Sequence, residues 1–340
     1  MPAVTPGSAG ARSRWWTRVR RLWWVPAALL VTAGLLIAVS RRGELRRALE
    51  LLTHVSPAKA LVALACQAAA LVCLAGLQQW LLAVGGVRVA PVAMNRLVLA
   101  ANAMAGALPG GTAFAAAWLF REFRRRGADR ALTAGVLAAS GVLSGLGLAV
   151  VMLLGVLLAG TRGPGTALLW LFALLGLLAA AGLAALRSPA VRDAIGRRWR
   201  RTAARHERLD AAGRATRQLV VHARSVRPGV RPWLTPAALA LLNWLLDAAC
   251  LLASLWALGV PVPWSGLLLA FALVQIPVSA RITPGGLGIA EAGLTGLLVA
   301  YGLEPGQAFA ATLLYRIFSY WLPLPVGGGC WVATALERRR

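Results

Sequence analysis

Apolar runs about as long as a bilayer is thick recur along this chain, and they leave few folds open. Continuous stretches of that kind fall at about residues 23–40, 60–84, 131–158, 166–186, 233–258 and 308–334. A helix of roughly 20 apolar residues crosses the hydrocarbon core, and only a helix or a closed barrel satisfies its backbone there. The expected fold is therefore an all-α polytopic integral membrane protein with about six full spans. A hydrophobic share of 59% with only 14% charged residues agrees. The first run follows a basic stretch, as a signal peptide does. "RRGELRR" comes after it in place of a small-residue cleavage site, so it is expected to remain as a span.

Two further apolar segments are interrupted. Leu97 to Phe120 is broken by "LPGG" at Leu108 to Gly111, and Leu267 to Tyr301 by "TPGG" at Thr283 to Gly286. Proline removes a backbone donor and glycine loosens the helix, so both breaks free polar backbone groups inside apolar sequence. Such groups are tolerated at membrane depth only against protein or a water-filled cavity.

The formal net charge of +25 decides orientation rather than partner. Residues 12–21 hold five arginines and no acid. Residues 121–130 hold five against Glu122 and Asp129, residues 187–231 hold thirteen against Asp193, Glu207 and Asp210, and the chain as given closes on Arg338, Arg339 and Arg340. Basic loops beside spans mark the cytoplasmic side and meet anionic inner-leaflet lipid. Nucleic-acid binding would interleave aromatics with these arginines, and is not expected.

Threading the spans with both termini inside predicts a multi-pass protein of the cytoplasmic membrane. Residues 1–22 form a basic cytoplasmic tail, 23–336 one transmembrane domain, and 337–340 a basic C-terminal tail. The basic linker 187–232 lies inside. On this threading the first broken segment enters and leaves from the cytoplasm, and the second from outside. The result is two opposed re-entrant helical hairpins. One segment breaks the charge rule: residues 41–59 carry Arg41, Arg42, Arg46, Arg47 and Lys59, yet fall outside. Leu45, Leu49 and Leu52 give it the face of an interfacial helix.

Pro109 and Pro284 stand 175 residues apart, and the same offset carries the span near Ala60 onto the one near Thr235. Those two spans run in opposite directions on the threading. An inverted repeat, with halves at about 60–158 and 233–334, is therefore expected, and in transporters broken helices at matching positions locate a substrate site.

The segment "PGGLGIAEAGL" followed by "AATLLYRIFSYWLPLPVGG" resembles the lysylphosphatidylglycerol synthase transmembrane-region family, the flippase-like membrane part of multiple peptide resistance factor proteins. "LPGG" followed by "REFRRRG" in the first half fits the same family. The positions carrying the likeness are Pro284, Gly285, Gly286, Gly288, Glu291, Tyr315 and Arg316, with Pro109, Gly110 and Gly111. The resemblance implies movement or handling of lipid-linked head groups, from a phospholipid or a polyprenyl-linked lipid. The chain as given ends at Arg340, so lysylation of lipid is not expected of it.

Of eleven acids only Asp247 and Glu291 lie in apolar segments, and Arg281 and Arg316 are the clearest arginines there. A charge at bilayer depth is costly unless paired or wet, so all four attract a functional reading. Arg281 and Arg316 are expected to hold a lipid phosphate, with Glu291 pairing one of them or meeting a cationic head group. Asp247, four residues from Asn243, reads as a packing polar residue.

Catalysis finds little support. His54, His206 and His222 all fall in polar segments, and no metal-ligand or nucleotide motif is present. Cys66, Cys73, Cys250 and Cys330 lie in apolar sequence without C-x-x-C spacing. No enzyme, cofactor or metal is expected. Two other readings stay open: a non-transporting membrane partner of lipid or glycan synthesis, and a lipid-phosphate-processing enzyme. The sequence leaves the oligomeric state open.

Overall fold

A computed structural model describes residues 50–160, 231–279, 281 and 283–337. Among them the chain is helical and forms no strand. The helices are α1 (Pro57–Val84), α2 (Pro91–Ala107), α3 (Gly111–Arg125), α4 (Arg130–Ala159), α5 (Arg231–Ala257), α6 (Leu267–Ser279), α7 (Ile289–Ala300), α8 (Pro305–Arg316) and α9 (Pro323–Glu337). Prolines open α1, α2 and α8, where the missing N–H is one the first turn does not use. Asp129 caps α4 by accepting from the Leu132 N–H at 2.6 Å.

Three of these helices are long and apolar enough to cross a membrane. Their spans are Pro57–Val84, Arg130–Ala159 and Trp233–Ala257, with mean hydropathies of 2.3, 2.6 and 1.8. Only 28%, 28% and 39% of those windows are buried within the protein. Helices this apolar that leave most of their surface uncovered need a hydrocarbon solvent, so the chain is a membrane protein. Leu61, Val142, Leu146, Leu157, Leu158 and Trp256 are among the large side chains left outside.

Helix α1 packs along α5, α2 along α9, and α4 along α6. Close backbone approach sets two of these crossings. A Cβ on Gly155 would stand 2.6 Å from the Leu269 nitrogen, and one on Gly327 would strike the Leu99 carbonyl. Apolar helices in lipid gain little from burying one another, so small residues that bring backbones together are what hold such pairs.

The spans near 60–84, 131–158 and 233–258 coincide with α1, α4 and α5. Both interruptions are real: α2 and α3 fold against each other around Leu108–Gly110, and α6 and α7 around a 3₁₀ turn at Pro284–Gly286. Two expectations change. The run 308–334 is not one uniform helix. A π turn at Ile317–Trp321 separates α8 from α9, with the Leu322 N–H bonded to the Ile317 carbonyl at 2.9 Å. Pro323 has no N–H to continue the regular ladder, and the backbone just before it is underwound into i→i+5 bonding. The basic run at 121–130 is mostly helix, since α3 continues through Arg125. Arg125 and Arg126 donate to Glu122, which is 2% exposed, at 3.3 and 2.7 Å. The runs 23–40 and 166–186, both tails and most of the 187–232 linker lie outside the described residues. Of the proposed interfacial segment 41–59, residues 50–59 are described: 50–53 are helical, 54–56 leave the helix, and 57–59 already belong to α1, so that segment is not one continuous helix.

Candidate functional site

The two interruptions meet. The Gly110 N–H donates to the Arg281 carbonyl at 2.9 Å, joining the turn after α2 to the turn after α6. Pro109 ends the first helix, and Gly110 turns the chain with φ at +64°. Gly111 then starts α3 so close to α2 that a Cβ would lie 2.6 Å from the carbonyl oxygens of both Met104 and Ala105. In the second turn Pro284 starts the 3₁₀ piece, Gly285 and Gly286 take φ of +59° and +69°, and Gly288 takes +83° before α7. The Tyr320 ring occupies the space a side chain at Gly285 would need. These are backbone shapes that glycine adopts without strain.

Glu291 and Arg316 form a pair. The Arg316 Nε donates to Glu291 Oε1 at 2.8 Å, and its Nη2 donates to the Gly285 carbonyl at 2.8 Å. Its guanidinium lies 4.5 Å over the centre of the Tyr320 ring. The other Glu291 oxygen accepts from the Gly288 N–H at 2.6 Å and caps α7. Glu291 is thus committed on both oxygens to the turn and to α8. The Tyr320 hydroxyl donates to the Gly106 carbonyl at 3.2 Å, tying the π turn to the end of α2.

Beside this knot lies a cavity of about 200 Å³. Arg281, Gly285, Tyr315 and Arg316 line it, and so does Asp247 from α5. Asp247 accepts from the Tyr315 hydroxyl at 2.9 Å and from Gln275 Nε2 at 3.1 Å. Arg281 enters from the second turn, with φ at +47°, and its Nη2 sits 3.4 Å from Asn102 Oδ1 on α2. Among the described residues no carboxylate pairs with it. Pro109, Gly110 and Gly111 join the second turn without lining the cavity. Proximity therefore gathers Arg281, Gly285, Tyr315 and Arg316 at one wall and leaves Glu291, Pro284, Gly286 and Gly288 to shape the turn behind it.

Asp247 joins α5 to α6 and α8, as a packing polar residue does, and also stands in the cavity wall; Gln67, Asn102 and Gln275 are further polar members that the sequence reading passed over. Their signal was an amide inside an apolar run. No group of three or more His, Cys, Asp or Glu that would hold a metal occurs among the described residues. Chemically, the wall offers guanidinium, amide, hydroxyl and carboxylate groups.

Residues 25–327 match the model of a family described as the lysylphosphatidylglycerol synthase TM region. A UPF0104 membrane protein of Methanothermobacter thermautotrophicus is 32% identical over 89 residues, covering 26% of this chain and 27% of the relative. A UPF0104 membrane protein of Pyrococcus horikoshii is 40% identical over 47 residues, covering 14% of each chain. The matched stretches thus span about a quarter or less of these relatives' own length.

Proposed function

The chain belongs to the lysylphosphatidylglycerol synthase transmembrane-region family, and from that premise we propose that it moves a lipid-linked anionic head group across the cytoplasmic membrane. The observation that carries this is the cavity itself. Two broken helical segments meet at it, and Arg281 and Arg316 line it where apolar helices would otherwise exclude charge. Arginine's planar fork matches phosphate oxygens, and the low dielectric around it strengthens the contact. The site is a binding cavity, not a catalytic centre, and a phospholipid or a polyprenyl-linked lipid is its substrate.

An architecture of about six spans with two opposed re-entrant hairpins follows from the same proposal. Support comes from the spacing of the helices: α5, α6, α7 and α8 begin 174, 176, 178 and 175 residues after α1, α2, α3 and α4. The packing repeats too, since α2 lies on α9 while α6 lies on α4. A duplicated unit with inverted topology accounts for both, and brings its two broken helices together at one site. Anionic lipid meets the basic inner face, and both termini are cytoplasmic.

The test is movement without chemistry. Purified protein in liposomes containing acyl-labelled phospholipids is expected to bring the labelled lipid to the opposite leaflet, read as the fraction quenched by an impermeant reductant, with the lipid recovered unchanged. Protein-free and protein-containing vesicles that behave alike for phospholipid and polyprenyl-phosphate probes would overturn the proposal.

A further inference from the structure

We infer that the cavity binds its anionic head group together with one proton, and that Asp247 is the residue that takes the proton up. The inference rests on the proposed site and adds a coupling ion to it. Two observations carry it. The first is the contrast between the two acids set in apolar sequence. Both oxygens of Glu291 are committed, one to the Arg316 guanidinium and one to the Gly288 N–H, and these partners suit the carboxylate form alone. Asp247 accepts only from neutral groups, the Tyr315 hydroxyl at 2.9 Å and the Gln275 amide at 3.1 Å. It forms no ion pair among the described residues. A protonated carboxyl keeps acceptor capacity for such donors, and the Gln275 amide turned over offers it a carbonyl to donate to. The partners of Asp247 therefore serve its charged and its neutral form alike.

The second observation is the charge around the cavity. Arg281, Arg316 and Asp247 stand in one wall, with Glu291 behind Arg316. Two positive and two negative charges balance while Asp247 is ionised. A phosphate held by Arg281 adds a negative charge, in a cavity of about 200 Å³ that it shares with Asp247. Two anions in one low-dielectric site do not both keep their charge, and the one whose partners suit either form takes a proton. A hydronium ion gives that proton to an Asp247 oxygen and leaves as water, and the new O–H donates to a phosphate oxygen.

The elements packed on α5 offer no rival. Helix α1 brings Lys59, which sits over the Trp256 ring, and the thiols Cys66 and Cys73, while α5 itself adds Cys250. Helix α4 has no titratable side chain after Arg130, and α6 has none. Tyr315 and Arg316 come from α8, and Tyr320 from the π turn. Thiols, phenols and guanidiniums hold their protons around neutral pH, so the carboxyl is the group that exchanges one. An ammonium head group would leave Asp247 ionised, but it would also face two guanidiniums.

The full chain in detergent, titrated with dihexanoyl phosphatidylmethanol and followed by thermal unfolding, tests this independently of transport. A phosphodiester lacks the second ionisation at about pH 6 that a phosphomonoester carries, so the probe holds one charge throughout. Affinity is expected to fall as pH rises, by at least about fivefold per pH unit at its steepest, against a limit of about tenfold for one proton per lipid. In weak buffer with an indicator dye, saturating lipid is expected to turn the medium more alkaline over the same pH window. Asp247→Asn is expected to abolish both the pH dependence and the proton uptake, and the dye measurement on the unmodified protein decides the matter should that variant fail to fold. Affinity that is flat with pH would overturn the inference. So would affinity that strengthens as pH rises, as a carboxylate meeting a cation gives, or uptake that persists in Asp247→Asn. Lipid movement in liposomes without proton uptake would overturn this inference and leave the transport proposal standing, whereas proton-linked binding without movement would do the reverse.

Discussion

Breaking the Glu291–Arg316 pair one side at a time, and then on both sides, separates its electrostatic role from its packing. The pair is 2.8 Å long, with the two side chains 18% and 6% exposed, so neither charge has free access to water. Arg316→Met strands a carboxylate and frees the Gly285 carbonyl; Glu291→Leu strands a guanidinium and frees the Gly288 N–H. Removing one partner of a buried pair costs about 3–5 kcal/mol, so the two single losses sum to about 6–10 kcal/mol. The double variant has no stranded charge. What it lacks is the cap on α7, about 1 kcal/mol, and a partner for one carbonyl, about 1–3 kcal/mol. Its loss is expected near 2–4 kcal/mol, with a coupling of at least about 2 kcal/mol between the sites. Denaturant titration in micelles, followed by tryptophan fluorescence, reads each stability. Additivity to within about 0.5 kcal/mol would refute the reasoning, because it would mean that the two charges do not interact in the folded protein.

Arg281→Lys is expected to leave folding intact and slow lipid movement at least about tenfold in the liposome assay, since a point charge does not reproduce a forked contact; a normal rate would remove Arg281 from the site. Gly111→Ala is expected to lower stability by about 1–3 kcal/mol, because its Cβ meets two backbone carbonyls that have nowhere to go. Gly86→Ala, at φ +85° but with open space around it, is the control and pays only backbone strain of about 1–2 kcal/mol. A Gly111→Ala protein as stable as the parent would mean that α2 and α3 do not approach as closely as they do here. Single cysteines at the exposed positions Arg125 and Gly302 are expected to react with an impermeant thiol reagent from opposite sides of the membrane, and reaction from one side would end the opposed-hairpin proposal.

The parts legible in the sequence were those fixed by local chemistry. Proline and glycine break a helix wherever they fall, so the turns at Leu108–Gly110 and Pro284–Gly286 could be read without knowing what surrounds them. The apolar lengths of α1, α4 and α5 were readable for a similar reason, since bilayer thickness sets them one helix at a time. Partner choice is different. Glu291 could have paired with Arg281, ten residues away, or Arg316, twenty-five away. The outcome follows from α8 folding back along α7, which brings Arg316 beside Glu291 and which one sequence does not display. Asp247 does bind across helices as a packing polar residue does, but its partners, Gln275 and Tyr315, arrive from α6 and α8 and could not be named from its helical neighbour Asn243. The π turn escaped notice because "IFSYW" has no composition that demands one, and only Pro323 behind it gave a cue. Yet the 175-residue spacing of the two Pro-Gly-Gly motifs carried tertiary information without showing any single contact. In the repeat we propose, a two-fold axis passing between α1 and α5, which pack together, would also bring the two turns face to face, where the Gly110–Arg281 hydrogen bond joins them. Symmetry of this kind makes each half supply one side of the cavity, so a site built for a single asymmetric head group depends on where the halves differ. Asp247, Arg281 and Arg316 all fall in the second half, whereas the first half lends the cavity only uncharged residues such as Gln67 and Asn102, so every charge in the cavity wall comes from one half.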